Sequence, residues 1–335
     1  MNISEFRETI KTYKEDDLRL LLSEMYKDMP KKLREDKDID GMVRDLHGYI
    51  SHSKGKKKQE VQVDFSYLEA DIEEFIEYAY KQYYMAPNSY VHKSERPKWR
   101  FKVKAFINQL QTIPVDSEDG QKATDLLGKL YNVLSYACNY YLFRSDDPFA
   151  SVGIVQTTYL DTILKRKLGI GINRESVKSC ISFVINSNVD RETTHIDLFY
   201  VLIGNLKTPD AKRMAIEQAL VFKTELDKSK RANNRNYDDF SHREKVNNLV
   251  EGIAEIYMML CEYDDAIAYY KSNYVYHDQE ITLYCVLRML FKHKLKDLWI
   301  REFDIAVKNE IKPREGLQNM YEYIQENGNL PEFIY

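Results

Sequence analysis

Residues that make tight turns are scarce in this chain, which has 12 glycines and 8 prolines among 335 residues. β-Sandwiches, β-barrels and dinucleotide-binding folds need many turns and tight glycines, so the scarcity argues against all three. Hydrophobic residues make up 44% of the chain, which is ample for a buried core. The composition therefore predicts an all-α protein with no significant β-sheet.

Cysteines are also few and widely spaced. The closest two of the four, Cys261 and Cys285, are 24 positions apart (285 − 261), so the chain has no CxxC motif or cysteine knuckle for a metal. The N-terminus lacks the apolar core of a secretory signal, and no apolar run is long enough to cross a membrane. We therefore expect a cytoplasmic protein with reduced thiols, no metal, no cofactor and no membrane association.

The motifs of common enzyme classes are missing as well. The chain has no GxxxxGK[ST] phosphate loop, no GxSxG nucleophile elbow and no HExxH zinc motif. A histidine lies close to a carboxylate at His195 and Asp197, but such pairs usually cap helices or face water. The sequence therefore predicts no catalytic residue and favours a protein that is not an enzyme.

Tyrosine, in contrast, is abundant, with 26 residues. A tyrosine supplies a large, rigid surface with a polar tip that needs a partner, so it suits either helix packing or a tyrosine-lined recognition groove. Tyr131, Tyr140 and Tyr141 lie within apolar helical patterns, which favours packing. The net charge of −4 gives no overall attraction to nucleic acid or to an anionic membrane.

The stretch from Val246 to Asn273 carries the clearest pattern in the chain. Apolar residues at helical spacing are followed by a four-residue turn, Cys261 to Asp264, and by a second amphipathic segment. Small side chains at Ala254 and Ala266 would let two antiparallel helices approach closely. We therefore predict a helical hairpin in which Ala266 contacts the preceding helix and Asp264 caps the second.

This hairpin resembles a tetratricopeptide repeat, a helix–turn–helix unit of about 34 residues. The matching positions are Ile253, Ala254, Tyr257, Ala266 and Tyr270. The first position of the pattern and its closing proline are absent, and an ordinary antiparallel helix pair explains the same residues equally well. The resemblance implies that the hairpin stacks on its neighbours, in a solenoid-like array of helical hairpins or in a multi-helix bundle.

Two polar stretches suggest how the chain is divided. A helical segment at 1–50 is followed by a basic polar linker at 51–61, which is rich in lysine. A central helical domain then covers 62–227, and a second polar linker follows at 228–240. The remaining residues, 241–335, are predicted to form a tetratricopeptide-like helical domain. The pattern does not define an oligomeric state.

A basic cluster surrounds one aromatic residue on the helix predicted at 97–110. Its apolar face is complete without Phe101, which points away from that face at 100° per residue. The cations around Phe101 are Lys93, Arg96, Lys98, Arg100, Lys102 and Lys104. We call these seven residues the basic–aromatic patch. It could stack a base and hold phosphates, anchor an acidic peptide, or be a solvated face with Phe101 covered by another helix.

The absence of catalytic motifs and the unbroken helical pattern together favour a non-enzymatic scaffold or adaptor. We expect it to bind a protein or peptide partner. The alternative is a nucleic-acid-associated helical protein that uses the basic–aromatic patch.

Overall fold

The computed structural model describes residues 3–36, 38–47, 65–232, 239–275 and 278–333. Within these ranges the chain forms 17 α-helices and no strand. The predicted all-α fold is therefore confirmed. The chain divides into two compact units, Met1–Asp64 and Phe65–Tyr335.

Within the residues that the structure describes, the first unit has four short helices with defined bounds: α1 (Ile3–Ile10), α2 (Glu15–Asp28), α3 (Lys31–Asp36) and α4 (Ile39–Arg44). Its longest helix, α2, buries none of its residues, and Leu20 and Leu22 are 63% and 65% exposed. The helix stops before Pro30 because a proline disfavours helical backbone at the residue before it, and Met29 is extended. The predicted linker at 51–61 lies outside the described residues.

The described part of the second unit contains thirteen α-helices. They are α5 (Phe65–Tyr80), α6 (Trp99–Thr112), α7 (Gly120–Asn139), α8 (Pro148–Val152), α9 (Gln156–Gly169), α10 (Arg174–Ile185), α11 (His195–Asn205), α12 (Pro209–Ala232), α13 (Asp239–Met259), α14 (Tyr263–Asn273), α15 (Gln279–Lys292), α16 (Lys296–Lys308) and α17 (Glu315–Asn327).

Alternate helices of this unit pack on one another. Helix α5 packs on α7, α7 on α9, α9 on α11 and α11 on α13, while α10 packs on α12. Consecutive helices also pack, most extensively α13 on α14. Both predicted arrangements, a stacked array of hairpins and a multi-helix bundle, produce such contacts.

Helix α12 is longer than the sequence suggested. It continues to Ala232, beyond the start of the predicted linker at 228. The added residues, KSKRA, include lysine, arginine and alanine, which are good helix formers. Residues 233–238 lie outside the described ranges, and 65–335 cluster as one compact unit. The separate domains at 62–227 and 241–335 stay a prediction.

Helices α13 and α14 form the predicted hairpin, with a tighter turn than expected. Cys261 has a left-handed backbone (φ 60°). Its N–H donates to the Met258 carbonyl at 3.0 Å, and the Glu262 N–H donates to Tyr257 at 3.0 Å, which is a Schellman motif. The expected cap at Asp264 is wrong, because α14 begins after Glu262 without a side-chain cap and Asp264 accepts from Arg301 instead.

The same turn recurs between α15 and α16. Lys294 has a φ of 58° and follows Cys261 by 33 positions (294 − 261). The residues that open the next helices, Glu262 and Leu295, have nearly the same backbone, with φ/ψ of −94°/62° and −92°/67°. Two successive hairpins thus share one connection at nearly the spacing of a tetratricopeptide repeat. The family resemblance itself stays a prediction.

Replacing Ala266 by leucine should destabilise the second unit by about 1–3 kcal/mol, because extra methylenes overpack a filled core. Ala266 and Ala254 are fully buried in one core cluster that also contains Tyr270. Ala268 lies two positions further along the same helix and is exposed, so Ala268→Leu is the matched control. Denaturant titrations of both variants test this prediction, and equal midpoints would contradict it.

Candidate functional site

A cavity of about 470 Å³ is lined mainly by residues of three helices, α11, α13 and α15. Its lining residues are Thr194, His195, Ile196, Tyr200, Asn248, Glu251, Glu255, Tyr270, Cys285, Arg288, Met289 and Lys292. This volume lies within the range of small-molecule sites, about 300–1,000 Å³. Tyr270, predicted as a repeat-packing residue, forms part of the wall contributed by α14.

Acidic and basic residues face the cavity from opposite helices. Glu251 and Glu255 lie one turn apart on α13, and Arg288 and Lys292 lie one turn apart on α15. Arg288 Nη2 donates to Glu251 Oε1 at 3.0 Å. Because each row lies on one face of its helix, two carboxylates and two cations share a small volume.

The Glu255 carboxylate is the most enclosed charge at the site, and the residue is 3% exposed. His293 Nε2 lies 2.7 Å from its Oε2 atom, and the Tyr200 hydroxyl forms a hydrogen bond with the same carboxylate. Lys292 Nζ lies 3.4 Å from the centroid of the Tyr200 ring, which is a close cation–π contact. Glu255 thus links α11, α13 and α15 through polar contacts.

Burial perturbs several of these groups. It raises the pKa of the Glu251 carboxyl even though Arg288 opposes the shift, and the nearby Glu255 raises it further. Burial also raises the pKa of the Tyr200 phenol, with the hydrogen bond to Glu255 acting in the same direction. The pKa of His195 is lowered by burial. Several shifted groups within one cavity are typical of binding and catalytic sites.

The charged residues of this cavity were not among the site residues predicted from the sequence. Glu251 and Glu255 interrupt an otherwise apolar helical face, as do Arg288 and Lys292. Charges at i and i+4 within apolar helices are the signal that could have marked them. Asp197, which lies near His195 in sequence, belongs to a capping box in which its carboxylate accepts from the Thr194 N–H at 2.8 Å.

The helix that carries the basic–aromatic patch folds as predicted. Its apolar side chains Trp99, Val103, Phe106, Ile107 and Leu110 are all buried. Trp99 stacks on Phe143 with the ring centroids 3.9 Å apart. Packing along this face leaves the opposite face of α6 toward solvent.

The structure brings only part of the patch together. Phe101 is 62% exposed rather than covered by another helix, and the Arg100 guanidinium lies 5.0 Å from its ring centroid. Lys93, Lys102 and Lys104 are also exposed. Lys102 lies over a different ring, with its Nζ 5.6 Å from the centroid of Phe106, so the observed contact with the Phe101 ring comes from Arg100.

Two cations of the patch make local contacts instead. Arg96 turns back toward the preceding loop, where its Nε donates to the Val91 carbonyl at 3.1 Å. Lys98 pairs with Glu95 at 2.8 Å. Arg96 therefore stabilises the loop before α6, and the charge of Lys98 is largely compensated.

Of the three tyrosines expected to pack between helices, one is buried and two are exposed. Tyr131 is fully buried and its hydroxyl accepts from Gln156 Nε2 at 2.9 Å, as packing requires. Tyr140 and Tyr141 are 53% and 70% exposed, so the expectation that they pack inside a helix is wrong. Helix α7 ends at Asn139, although the apolar pattern of the sequence continues past that residue.

Among the described residues, no group of three or more histidine, cysteine, aspartate or glutamate side chains is placed to hold a metal ion. None of the described helices combines the length and the apolar character that a membrane crossing requires.

The fold and the cavity define the chain as an all-helical protein with a charged cavity on its second unit. No protein-family model matches it, and no curated protein and no solved structure matches it either.

Proposed function

We propose that the chain is a non-enzymatic scaffold that binds a peptide or another protein along the surface formed by α11, α13 and α15. The observation that carries this proposal is the cavity of about 470 Å³ whose polar side chains come from these three helices. In arrays of helical hairpins, alternate helices line one continuous surface that is used for binding. The turn repeated at Cys261 and Lys294 supports such an array.

We place this scaffold in the cytoplasm. The proposal rests on the four cysteines, which are spaced too widely in sequence for a compact disulfide or metal motif. In the structure all four are free thiols, and burial raises the pKa of Cys138 to about 12 and of Cys180 to about 11.

Peptide selection tests the scaffold function. We expect a displayed library of random peptides to yield binders to the full chain, and Asn248→Trp to abolish their binding by filling the cavity. Asn108→Trp, on the exposed face of α6, is the matched control and should leave binding unchanged. Failure to select any peptide, or peptides that bind both variants equally, would count against this function.

Nucleic-acid binding is the second candidate, and the exposure of Phe101 beside Arg100 favours it. An accessible ring can stack on a base while the surrounding cations contact phosphates. Only the patch offers this combination on α6, since its other aromatic residues, Trp99 and Phe106, are buried.

Fluorescence anisotropy with a labelled single-stranded oligonucleotide tests this second function. Binding should weaken steeply as salt rises. Phe101→Ala should weaken it at least about fivefold, because stacking contributes about 1–3 kcal/mol per base. Tyr67→Ala removes an aromatic ring that is 75% exposed on α5 and is the control. No binding at low salt would dismiss the nucleic-acid function.

A further inference from the structure

Some polar side chains of the cavity between α11, α13 and α15 have partners within the chain and others have none. Each glutamate has a basic partner, Arg288 for Glu251 and His293 for Glu255. By contrast, the side chains of Asn248 and His195 make no hydrogen bond with any residue that the structure describes. The amide group of Asn248 and the ring nitrogens of His195 are therefore available to a ligand.

The two cations at the cavity add further donors. Arg288 has five N–H groups, of which one is used in its bond to Glu251. Lys292 is in contact with the Tyr200 ring and makes no hydrogen bond within the described part of the chain. Both side chains are substantially exposed, so a ligand that enters from solvent can reach them.

These donors belong to three helices, because His195 lies on α11, Asn248 on α13, and Arg288 with Lys292 on α15. A carboxylate has two oxygens in one plane and about four acceptor positions. A phosphate group has three terminal oxygens in a tetrahedral arrangement and a charge of about −1.5 to −2. Donors from three helices match the phosphate better than the planar carboxylate.

We propose that this cavity binds a phosphate group carried by the peptide partner. The inference rests on the function proposed above, because it names the group that anchors the peptide. Arg288 and Lys292 supply positive charge, while Asn248 and His195 supply hydrogen bonds from the facing helices. Glu251 weakens the site, since it engages Arg288 and adds a negative charge beside the phosphate.

Calorimetric titration of the full chain with O-phosphoserine and with inorganic phosphate tests this proposal at low ionic strength. We expect both probes to bind and serine not to bind. Lys292→Gln should weaken binding at least about tenfold, as expected for a charged hydrogen bond of more than about 1.4 kcal/mol. Glu251→Gln should tighten it several-fold, because Arg288 is released from its carboxylate partner.

Two further variants separate binding in the cavity from loss of fold. Lys308→Gln removes a lysine from the exposed end of α16 and should change nothing. Asn248→Asp is almost isosteric and adds a negative charge, so it should weaken binding while the thermal melt stays close to that of the original chain. Equal affinities of Lys292→Gln, Asn248→Asp and the original chain would place the phosphate elsewhere and overturn the proposal.

The remaining outcomes distinguish this proposal from the scaffold function. No heat of binding at millimolar phosphoserine, or equally tight binding of succinate, overturns the phosphate site. The phosphate site is also overturned if the selected peptides bind equally well with and without a phosphoserine. In that case the scaffold function stands. Phosphoserine that binds in the cavity when no peptide can be selected supports the phosphate site and removes the scaffold function.

Discussion

Replacing Arg166 by methionine is expected to lower the free energy of unfolding by about 2–3 kcal/mol. Arg166 is 8% exposed, although it belongs to the basic sequence Lys165-Arg166-Lys167 near the end of α9. Its guanidinium donates to Thr124 Oγ1 at 3.0 Å and to the carbonyls of Ile113 and Gly120 at 2.9 and 3.3 Å. One side chain therefore ties the loop before α7 to α9.

The loss of stability arises because the acceptor oxygens remain buried when the Arg166 guanidinium is removed. Methionine keeps most of the apolar stem but leaves the Ile113 carbonyl without its Arg166 donor, and an unsatisfied buried acceptor costs about 1–3 kcal/mol. The Arg166 charge has no carboxylate partner in these contacts, and burial lowers its pKa. Part of the loss is offset because methionine does not bury a charge.

Chemical denaturation measures this effect. Lys165→Met is the control, since Lys165 is the preceding residue and its side chain is 65% exposed in a surface pair with Asp161. It should change stability by no more than about 0.5 kcal/mol. If Arg166→Met changed the free energy of unfolding as little as the control does, the prediction would be wrong. The cost of burying the charge would then equal the contribution of its hydrogen bonds.

Local periodicity explains why much of the fold could be predicted. The five buried residues of α6 lie on one face of the helix. The hairpin of α13 and α14 is indicated by apolar spacing and small side chains within fewer than 30 residues. Such patterns need only neighbours in sequence. The ends of helices were predicted less accurately, because helix propensity determines where a helix ends only weakly. Helix α12, for example, continues to Ala232.

The cavity could not be predicted because its contacts join distant parts of the chain. Glu251 and Arg288 are 37 positions apart, and Glu255 and His293 are 38 apart. The spacing of four residues could mark Glu251 with Glu255, and Arg288 with Lys292, as pairs on their own helices, but it does not predict the contacts between the helices. Tyr270 was predicted correctly as buried, but its position on the cavity wall depends on how α14 packs beside α13 and α15. Tertiary packing, not local pattern, brings these side chains together.

The packing of α11 on α13 leads to the last prediction, that Gly252→Ala destabilises the second unit by about 1–3 kcal/mol. Glycine within a helix is normally less favourable than alanine by about 1 kcal/mol, so this exchange usually stabilises. At Gly252, however, an added Cβ would lie 2.4 Å from ring carbons of Phe199. Phe199 is 1% exposed, so its ring has little room to move.

Gly204 provides the opposite case. It lies near the end of α11, and a Cβ built there meets no atom within 4 Å. We expect Gly204→Ala to stabilise the protein by up to about 1 kcal/mol, since only the backbone preference changes. The two glycine exchanges should thus shift the denaturation midpoint in opposite directions, and a stabilising Gly252→Ala would refute the close approach of α11 and α13.

A double-mutant cycle locates the strain at one contact. Phe199→Leu removes the ring that the new Cβ would strike, so Gly252→Ala should cost at least about 1 kcal/mol less in that background. Gly252 and Phe199 adjoin Glu251 and Tyr200 in sequence, and both of those line the cavity. Because the alanine would push α11 from α13, Gly252→Ala should also weaken any ligand of the cavity, and Phe199→Leu should partly restore its affinity. Independent effects of the two substitutions on stability would place the strain elsewhere.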